Sequence, residues 1–468
     1  MCGSGDLMLR RSAVRPLIND CTLREGAQAP GVHFSADQAA EVAQLLVACG
    51  VDMIECGHPA VSSSERDRIS RVAAQAEGVP VLVHARALRS DIDAAKGTGA
   101  SWVGIFLGVN EISRRTKLRG RPLEEVIGLA QRAVEHAVMA GLSVRFTVED
   151  ASRTDASLLT HAYSAALEAG ARRIGYADTV GLMEPDGSRE IIARLRRTFA
   201  DVEIECHFHN DRGLALSNAL ASIDAGADWI STAINGLGER CGITDQAQLL
   251  ANLHYRNQRN LGNPLALQAS SRLVAAIART PIGRQAPVVG SASFTHTAAL
   301  HKAALAQDEQ SYSWLEPKEL GRQASTSEPR VWSADDLILR PVNRSATELR
   351  HHRHGPGDRY LYIDDRLLDG CAQYCIVRHI ERGTIIDDDG HVDSHRHDCD
   401  SLFAFVGDGP ALSGLTVEVV LDHQRRIVES PSSVFVPASL IHSYRVISGS
   451  GFFINHVLSG EYNVSLLD

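Results

Sequence analysis

The chain has 468 residues, of which 44% are apolar and 22% charged, and its formal net charge is −10. These values predict two or three globular domains and exclude the basic surface that nucleic-acid binding requires. Because no apolar run is long enough to cross a bilayer, no secretion signal opens the chain and the cysteines are scattered, we expect a cytoplasmic protein without nucleic-acid or membrane partners.

Short apolar runs alternate with amphipathic segments through the first half of the chain. The runs begin at Pro16, Val51, Val79, Ser101, Ser143, Arg172, Val202 and Asp228. Eight consecutive βα units predict an α/β fold, a (β/α)8 TIM barrel at residues 1–285. A doubly wound open sheet is the alternative. It is disfavoured because no G-x-G-x-x-G turn follows the first run, and because polar residues cluster at the carboxyl ends of all eight.

The seventh run ends in IECHFHND, which brings two histidines one residue apart. Side chains two apart on a strand share a face, so His207 and His209 both point into the predicted barrel mouth. Alone, this pair favours two ordinary core or surface histidines over a metal site. Asp20 and Glu25, at the end of the first run, add the anionic oxygen that a divalent metal site needs. The sequence therefore predicts a metal site between strands one and seven.

Three stretches carry a specific resemblance to a known family. They are DCTLREGAQ from Asp20, IECHFHNDRGLALSNA from Ile204 and GLGERCGI from Gly236. Together they resemble the acyl-CoA-condensing metalloenzymes that include isopropylmalate, citramalate and homocitrate synthases. HFHND and GERxGI are closest to the homocitrate synthase spelling, and the similarity runs from about Pro16 to about Leu320.

The resemblance implies a divalent metal, Zn, Mn or Mg, in the barrel. Glu25, His207 and His209 match the ligands of homocitrate synthases. Asp20 matches a carboxylate ligand of the isopropylmalate branch, in which an Asn supplements the set. Ile243 stands where that Asn is expected, which favours Glu25 over Asp20.

The resemblance also implies the groups that hold the substrate. Arg24 and Thr179 match residues that keep a 2-oxo acid beside the metal, and Arg24 also matches a group that stabilises developing negative charge. His84, Arg145 and Thr147 match residues that recognise a second carboxylate, and a buried Arg145 would otherwise be an unpaired charge. A dicarboxylic acid such as 2-oxoglutarate is therefore expected.

Residues 286–320 are expected to complete the active site as a helical segment. SFTHTAALHKAAL from Ser293 resembles the family's FTHKAGIH stretch. By position His301 matches its catalytic base, Glu149 the carboxylate partner of that base and Tyr312 the tyrosine that follows. In the family this segment crosses to the neighbouring subunit, which implies a homodimer with shared sites.

The implied reaction is a Claisen-type condensation with acetyl-CoA as co-substrate, ending in thioester hydrolysis. Two other functions stay open: a carbon–carbon lyase or aldolase on the same barrel, and a sensor built on a barrel that has lost its activity. Gly104, where homocitrate synthases commonly carry an acidic residue, indicates an altered substrate pocket. Oxaloacetate or a phosphonate analogue is therefore an alternative substrate.

The remaining chain follows a different pattern. Residues 321–345 are polar and rich in Ser, Arg and Pro, as in a linker. HHRHGPGDRY from His351 is interpreted as a solvated turn rather than a metal tract. Residues 346–468 show alternating strands and Gly- and Asp-rich turns, which predict an all-β domain.

Two segments of this domain, from Gly390 and from Val434, resemble the two cupin motifs. The resemblance implies a small cupin-like β-barrel in which His395, His397 and His442 hold a second transition metal. Ser401 or Leu402 stands where a Glu ligand is expected, and Asp400 is considered as its substitute. The alternative is a metal-free domain used for ligand sensing or dimerisation.

Overall fold

The computed structural model describes residues 15–323, 325–326, 337–345, 348–353, 358–368, 371–381 and 392–467. Residues 1–14 and residues 327–336 of the predicted linker therefore lie outside the described part. The chain divides into two compact units, Met1–Val274 with Ile282–Ser327, and Ala275–Pro281 with Glu328–Asp468. Within the described residues, no helix is long and apolar enough to cross a membrane.

Eight parallel strands close the first unit into a barrel in which each strand pairs with the next and β8 pairs with β1. The strands are β1 Leu17–Asp20, β2 Met53–Glu55, β3 Val81–Arg86, β4 Trp102–Leu107, β5 Ser143–Val148, β6 Arg173–Asp178, β7 Glu203–Phe208 and β8 Trp229–Thr232. Each predicted run contains one strand. The TIM barrel is confirmed, because strands buried on both faces give the near-continuous apolar runs seen in the sequence.

Helices surround the barrel and follow its strands along the chain. They are α1 Ala36–Ala48, α2 Ser63–Gln75, α3 Arg89–Ala95, α4 Glu111–Thr116, α5 Leu123–Met139, α6 Ala156–Glu168, α7 Pro185–Thr198, α8 Ala215–Asp224, α9 Gln246–Tyr255, α10 Pro264–Ala278 and α11 Ala299–Leu305. Local sequence signals determine where several helices begin. Ser35 forms a capping box with Gln38 at the start of α1, and Pro185 occupies the first turn of α7. Two short parallel strands, β9 Thr295–His296 and β10 Ser325–Thr326, pair in the segment that follows.

The barrel interior is charged rather than purely apolar. Arg145 Nη1 donates to Glu55 Oε2 and to Glu205 Oε1, both at 2.6 Å, and Arg173 Nη1 donates to Glu205 Oε2 at 3.0 Å. Asn19 Nδ2 donates to the same two carboxylates at 2.9 and 2.7 Å. Every one of these groups is buried, so the charges stabilise the interior only as a mutually paired set.

The second unit is built from antiparallel sheets. One sheet has the order β11-β12-β13-β19-β14-β17 and the other β16-β15-β18. The strands are β11 Val342–Asn343, β12 Arg359–Ile363, β13 Tyr374–Ile380, β14 Ser401–Gly407, β15 Leu415–Leu421, β16 Gln424–Glu429, β17 Ser432–Val436, β18 His442–Gly449 and β19 Gly451–Val457. Alternate residues of both sheets, among them Phe405, Val417, Tyr444 and Phe453, share one core. The strands described from Val342 onward are thus antiparallel, and the all-β cupin-like barrel stays a prediction.

Candidate active site

Three side chains meet at the carboxyl ends of β1 and β7. Glu25 Oε2 lies 3.8 Å from His207 Nε2, and Glu25 Oε1 lies 3.9 Å from His209 Nε2. The donor atoms of the three residues all lie within 4.8 Å of one another. Ligand bonds of about 2.0–2.2 Å around one ion separate cis ligands by roughly 3–3.5 Å, so a small inward movement would bring this set onto a single divalent ion. The residue types also fit, because the set pairs one anionic oxygen with two imidazoles.

The protonation states suit metal binding. Burial lowers the pKa of His207 to about 3, with help from the neighbouring His209 and Arg24, so its imidazole is neutral at physiological pH. Burial alone would raise the pKa of Glu25, but Arg24 and the two histidines lower it to about 2. The site therefore offers a carboxylate and free nitrogen lone pairs without prior loss of a proton.

The loop after β8 shapes the carboxylate. The backbone N–H of Glu239 donates to Glu25 Oε1 at 3.1 Å. A Cβ on Gly238 would lie 3.0 Å from Glu25 Cγ, so glycine is what lets the loop approach this closely. The GLGER stretch thus helps to fix the position of the Glu25 carboxylate.

Asp20 does not join the three ligands. Asn19 faces the barrel interior, so its neighbour Asp20 points the other way, where it accepts hydrogen bonds from Thr232 Oγ1 and Gln246 Nε2, both at 3.1 Å. Burial raises its pKa to about 6. The expectation that Asp20 contributes to the metal site is therefore corrected: strand alternation turns it toward the helices.

Arg24 is fixed beside the metal ligands by carboxylates. Its Nε donates to Glu55 Oε1 at 2.6 Å, and its Nη1 contacts Glu25. Burial lowers its pKa, but Glu55 and Glu25 raise it further, so the guanidinium stays charged. A cation is thereby held at the edge of the predicted metal site.

A cavity of about 150 Å³ opens at this end of the barrel. Its wall includes nine of the residues predicted from the sequence, namely Arg24, Glu25, His84, Arg145, Thr147, Glu149, Thr179, His207 and His209. Thr179 Oγ1 accepts from the Asp150 backbone N–H at 2.8 Å. Among the described residues, Thr147 Oγ1 and Arg145 Nε are buried without a hydrogen-bond partner. The cavity wall therefore carries donors that the protein itself does not satisfy.

Glu205 and His58, which line this wall, and the fully buried Glu55 were not predicted. Glu55 and Glu205 pair with Arg145, so Arg145 is not the unpaired charge that the sequence reasoning assumed. His58 Nε2 lies 3.3 Å from His84 Nδ1. Glu205 precedes His207 by two residues, so strand alternation was a readable signal for it; His58, in the loop after β2, had none.

His301 and Tyr312 lie away from the cavity wall. Their rings stack with centroids 3.9 Å apart, and neither residue lines the cavity in the part of the chain described. Glu149 does line it, and its Oε1 accepts from Lys117 Nζ at 2.8 Å rather than from His301. The single chain thus leaves the predicted base and its carboxylate partner apart.

A second cluster lies in the other unit. His395, His397 and His442 place one ring nitrogen each within 4.8 Å of the others. Each Nδ1 is held by an oxygen: His395 by Asp393 O at 2.8 Å, His397 by Ser465 Oγ at 2.7 Å and His442 by Leu440 O at 2.9 Å. The Nε2 atoms of His397 and His442 are buried without a partner among the described residues. Anchored Nδ1 atoms with converging Nε2 atoms are the arrangement expected of metal ligands.

The surroundings keep these histidines neutral. Burial, together with the neighbouring imidazoles, lowers the pKa of His395 to about 4 and that of His397 to about 2. Asp400, considered as a fourth ligand, instead accepts from the Ala438 backbone N–H at 2.8 Å and lies outside the cluster. The expectation that Asp400 is a ligand is therefore corrected, because its carboxylate accepts a hydrogen bond from the loop before β18.

Of the HHRHGPGDRY stretch, interpreted as a solvated turn, His351 lies in an exposed turn and Arg353 is exposed, whereas His352 is half-buried. His352 bridges to Val392, and its Nε2 lies 2.8 Å from the hydroxyl of Tyr462. That hydroxyl lies 2.7 Å from His395 Nε2. Residues 354–357 lie outside the described part. No local sequence pattern marks Tyr462, because its contact with His395 spans 67 residues.

Comparison with known proteins agrees with the barrel. Residues 15–275 match the HMGL-like family. The homocitrate synthase of Sulfurisphaera tokodaii is 38% identical over 309 residues, covering 65% of this chain and 67% of that protein. The homocitrate synthase of Saccharolobus solfataricus is 37% identical over the same shares. The HMG-CoA lyase structure from Bacillus subtilis superposes with a TM-score of 0.51 at 19% identity, covering 57% of this chain and 95% of that one, which supports the fold alone.

Proposed function

The chain belongs to the HMGL-like family, and on that premise we propose that its barrel condenses acetyl-CoA with a dicarboxylic 2-oxo acid. The product is a homocitrate-like 2-hydroxy polycarboxylate, and CoA is released. The preferred acid is 2-oxoglutarate or a close analogue. The barrel is thus an acyltransferase that converts the acyl group to an alkyl group on transfer, as the named homocitrate synthases are.

Glu25, His207 and His209 would hold the divalent metal. A divalent ion bound there supplies the positive charge that polarises the ketone of a 2-oxo acid. Arg24, fixed by Glu55, places a second positive charge where the attacked carbonyl oxygen becomes negative. Because Glu55 holds the guanidinium in advance, little reorganisation is needed during the reaction.

One observation supports the dicarboxylic preference: two buried donors of the cavity wall lack partners. Thr147 Oγ1 and Arg145 Nε are both without an acceptor among the described residues. An unsatisfied buried donor costs about 1–3 kcal/mol, and a second substrate carboxylate would satisfy both. His84, whose pKa burial lowers well below its usual value, supplies a neutral ring for the same end of the substrate. A 2-oxo acid with a branched aliphatic side chain would leave the two donors without an acceptor.

We assign proton removal from acetyl-CoA to His301 of a second copy of the chain, with Glu149 as its partner and Tyr312 beside it. The single chain keeps His301 off its own cavity wall, while Glu149 lines that wall. A homodimer with shared sites would bring the two together. A carbon–carbon lyase is not favoured, since Cys241, the cysteine of the GLGER loop, is exposed and does not line the cavity.

The test measures free thiol from acetyl-CoA with a chromogenic disulfide. The purified chain is given a divalent metal and, in turn, 2-oxoglutarate, oxaloacetate, 2-oxoisovalerate and a phosphonate-bearing 2-oxo acid. We expect release to depend on the acid and to be fastest with 2-oxoglutarate, with the Glu25→Gln variant as the inactive control. Equal release with no acid present would overturn the synthase assignment, and a preference for 2-oxoisovalerate would overturn the dicarboxylic one.

For the second unit we propose a cupin-like domain that binds a transition metal through His395, His397 and His442. The orphaned Nε2 atoms and their anchored Nδ1 atoms support it. The test compares metal content of the wild type with that of the His395→Ala/His397→Ala double variant after equal loading. A loss of about one metal per chain is expected. Unchanged content would remove this second site from the proposal.

A further inference from the structure

The histidine cluster of the second unit has one oxygen within its reach. The hydroxyl of Tyr462 lies 2.7 Å from His395 Nε2, inside a side chain that is 3% exposed. The tyrosine ring lies 4.8 Å from the ring of His397. This hydroxyl therefore contacts one of the three proposed ligand nitrogens, and its ring lies beside a second proposed ligand.

The hydrogen bonds fix which atom carries which proton. The carbonyl of Asp393 can only accept, so His395 Nδ1 bears the hydrogen and its neutral ring offers a lone pair at Nε2. Tyr462 must then donate its O–H to that lone pair. His352 Nε2, 2.8 Å away, donates in turn to the tyrosine oxygen. The lone pair that a metal needs on His395 is thus occupied by the tyrosine proton.

Resting on the second metal site proposed above, we infer that Tyr462 is its fourth ligand and binds the metal as a phenolate. On metal entry the tyrosine O–H bond breaks, a metal–oxygen bond and a bond from the metal to His395 Nε2 form, and the proton leaves to solvent. No electron is transferred. Two atoms each about 2.1 Å from one ion can lie 2.7 Å apart at a bond angle of about 80°, so the present separation suits a pair of cis ligands.

Burial raises the pKa of Tyr462 well above its ordinary value, so the metal-free chain holds a neutral phenol and the phenolate forms only when the metal enters. The His352 Nε2–H already points at the oxygen and would stabilise its negative charge. The hydroxyl also takes the place of the missing carboxylate, since Asp400 is turned to the Ala438 backbone. Three neutral imidazoles with one hard anionic oxygen are a donor set for iron, whose ferric state phenolate favours.

The test uses the full chain loaded with ferric nitrilotriacetate and then desalted. Ferric phenolates absorb in the visible region by charge transfer, so we expect a coloured wild type whose resonance Raman spectrum shows tyrosine ring vibrations. Tyr462→Phe should retain iron and lose the colour. Tyr374→Phe, which removes the hydroxyl of a buried ring 5.3 Å from Tyr462, should keep it and is the matched control. The His207→Ala background removes any barrel iron from the signal.

The outcomes separate this inference from the site on which it rests. One outcome is that iron is lost in the His395→Ala/His397→Ala variant but gives no tyrosine vibrations in the wild type. This outcome would support the histidine metal site and overturn the phenolate ligand. Colour that survives in Tyr462→Phe would do the same. Iron content equal in the wild type and the double variant would overturn both. The Raman measurement needs only the wild type, so it decides even where Tyr462→Phe fails to fold.

Discussion

Two histidine pairs of this chain share one spelling and lie in different surroundings. His207 and His209 face the carboxylate of Glu25, which is also paired with Arg24. His395 and His397 face a third imidazole, and each holds its Nδ1 on a fixed oxygen. The first site is organised by charge and the second by hydrogen bonds.

The difference indicates what each site can tolerate. In the barrel, the ligands belong to a network that runs through Glu55 and Arg145, so a change at one charge alters the partners of several others. In the β unit, each ligand has its own anchoring oxygen. We therefore expect coupled losses in the barrel and separable ones in the β unit.

The largest expected effect is that a substitution in each histidine pair impairs only its own site. His207→Ala should lower the rate of thiol release by about 10³-fold or more, since the lost charge stabilisation is worth several kcal/mol. His397→Ala should lower metal content in the β unit and leave the rate within about threefold of wild type. Kinetics with parallel metal analysis would measure both. Comparable loss of rate in the two variants would mean that the sites are not independent.

A smaller effect is expected from an anchor. Ser465→Ala removes the oxygen that holds His397 Nδ1 while leaving every proposed ligand in place. Loss of such a partner typically lowers metal affinity about 10–100-fold, or about 1.4–2.7 kcal/mol. Competition with a chromogenic chelator would measure it. Ser459→Ala, at a serine that contacts none of the three histidines, is the control and should leave affinity unchanged.

The acid sensitivity of the metal-free β unit should be smaller still for each histidine. Burial lowers the pKa of His397 to about 2, against about 6.5 in the unfolded chain. Between these values the unfolded state binds the extra proton, so stability falls as pH falls, by up to about 1.4 kcal/mol per pH unit. Hydrogen exchange of β14 peptides from pH 6 to pH 5 should show this slope. His397→Asn should remove the share of the slope that this one histidine contributes, whereas substitution of the exposed His423 should leave the slope unchanged.

The smallest effect is expected at Asp20. Asp20→Asn should leave the barrel's metal content and the rate of thiol release within about twofold of wild type, because this side chain faces Thr232 and Gln246 rather than the ligands. Metal analysis beside the His207→Ala variant would measure the contrast. A loss as large as that of His207→Ala would restore Asp20 to the metal site.

The barrel was readable from sequence for a physical reason. Strands covered on both faces must be apolar along their length, so each appears as an apolar run in the sequence. Nine residues of the cavity wall followed from motifs. Position along a motif is preserved when the fold is, so motif matching could place them.

What sequence could not give depends on register and on distant pairing. Asp20 and Asn19 are adjacent, and which of them faces inward is fixed only when β1 pairs with β2 and β8. Gly104 leaves room for the side chain of Arg145, since a Cβ added to Gly104 would lie 2.7 Å from Arg145 Nη2. Tyr462 and His352 meet across 110 residues, and no local pattern marks such a pair.

The charged column inside the barrel has a consequence for how this chain can evolve. Glu55, Arg145, Glu205 and Arg173 alternate in sign, and the guanidinium of Arg173 also lies between the rings of Trp229, at 3.6 Å, and Trp102, at 4.5 Å. Replacing any one of these four residues would leave a buried opposite charge without its partner. We therefore expect these four positions to vary together among relatives or not at all, so that their inheritance is that of one unit rather than of four residues.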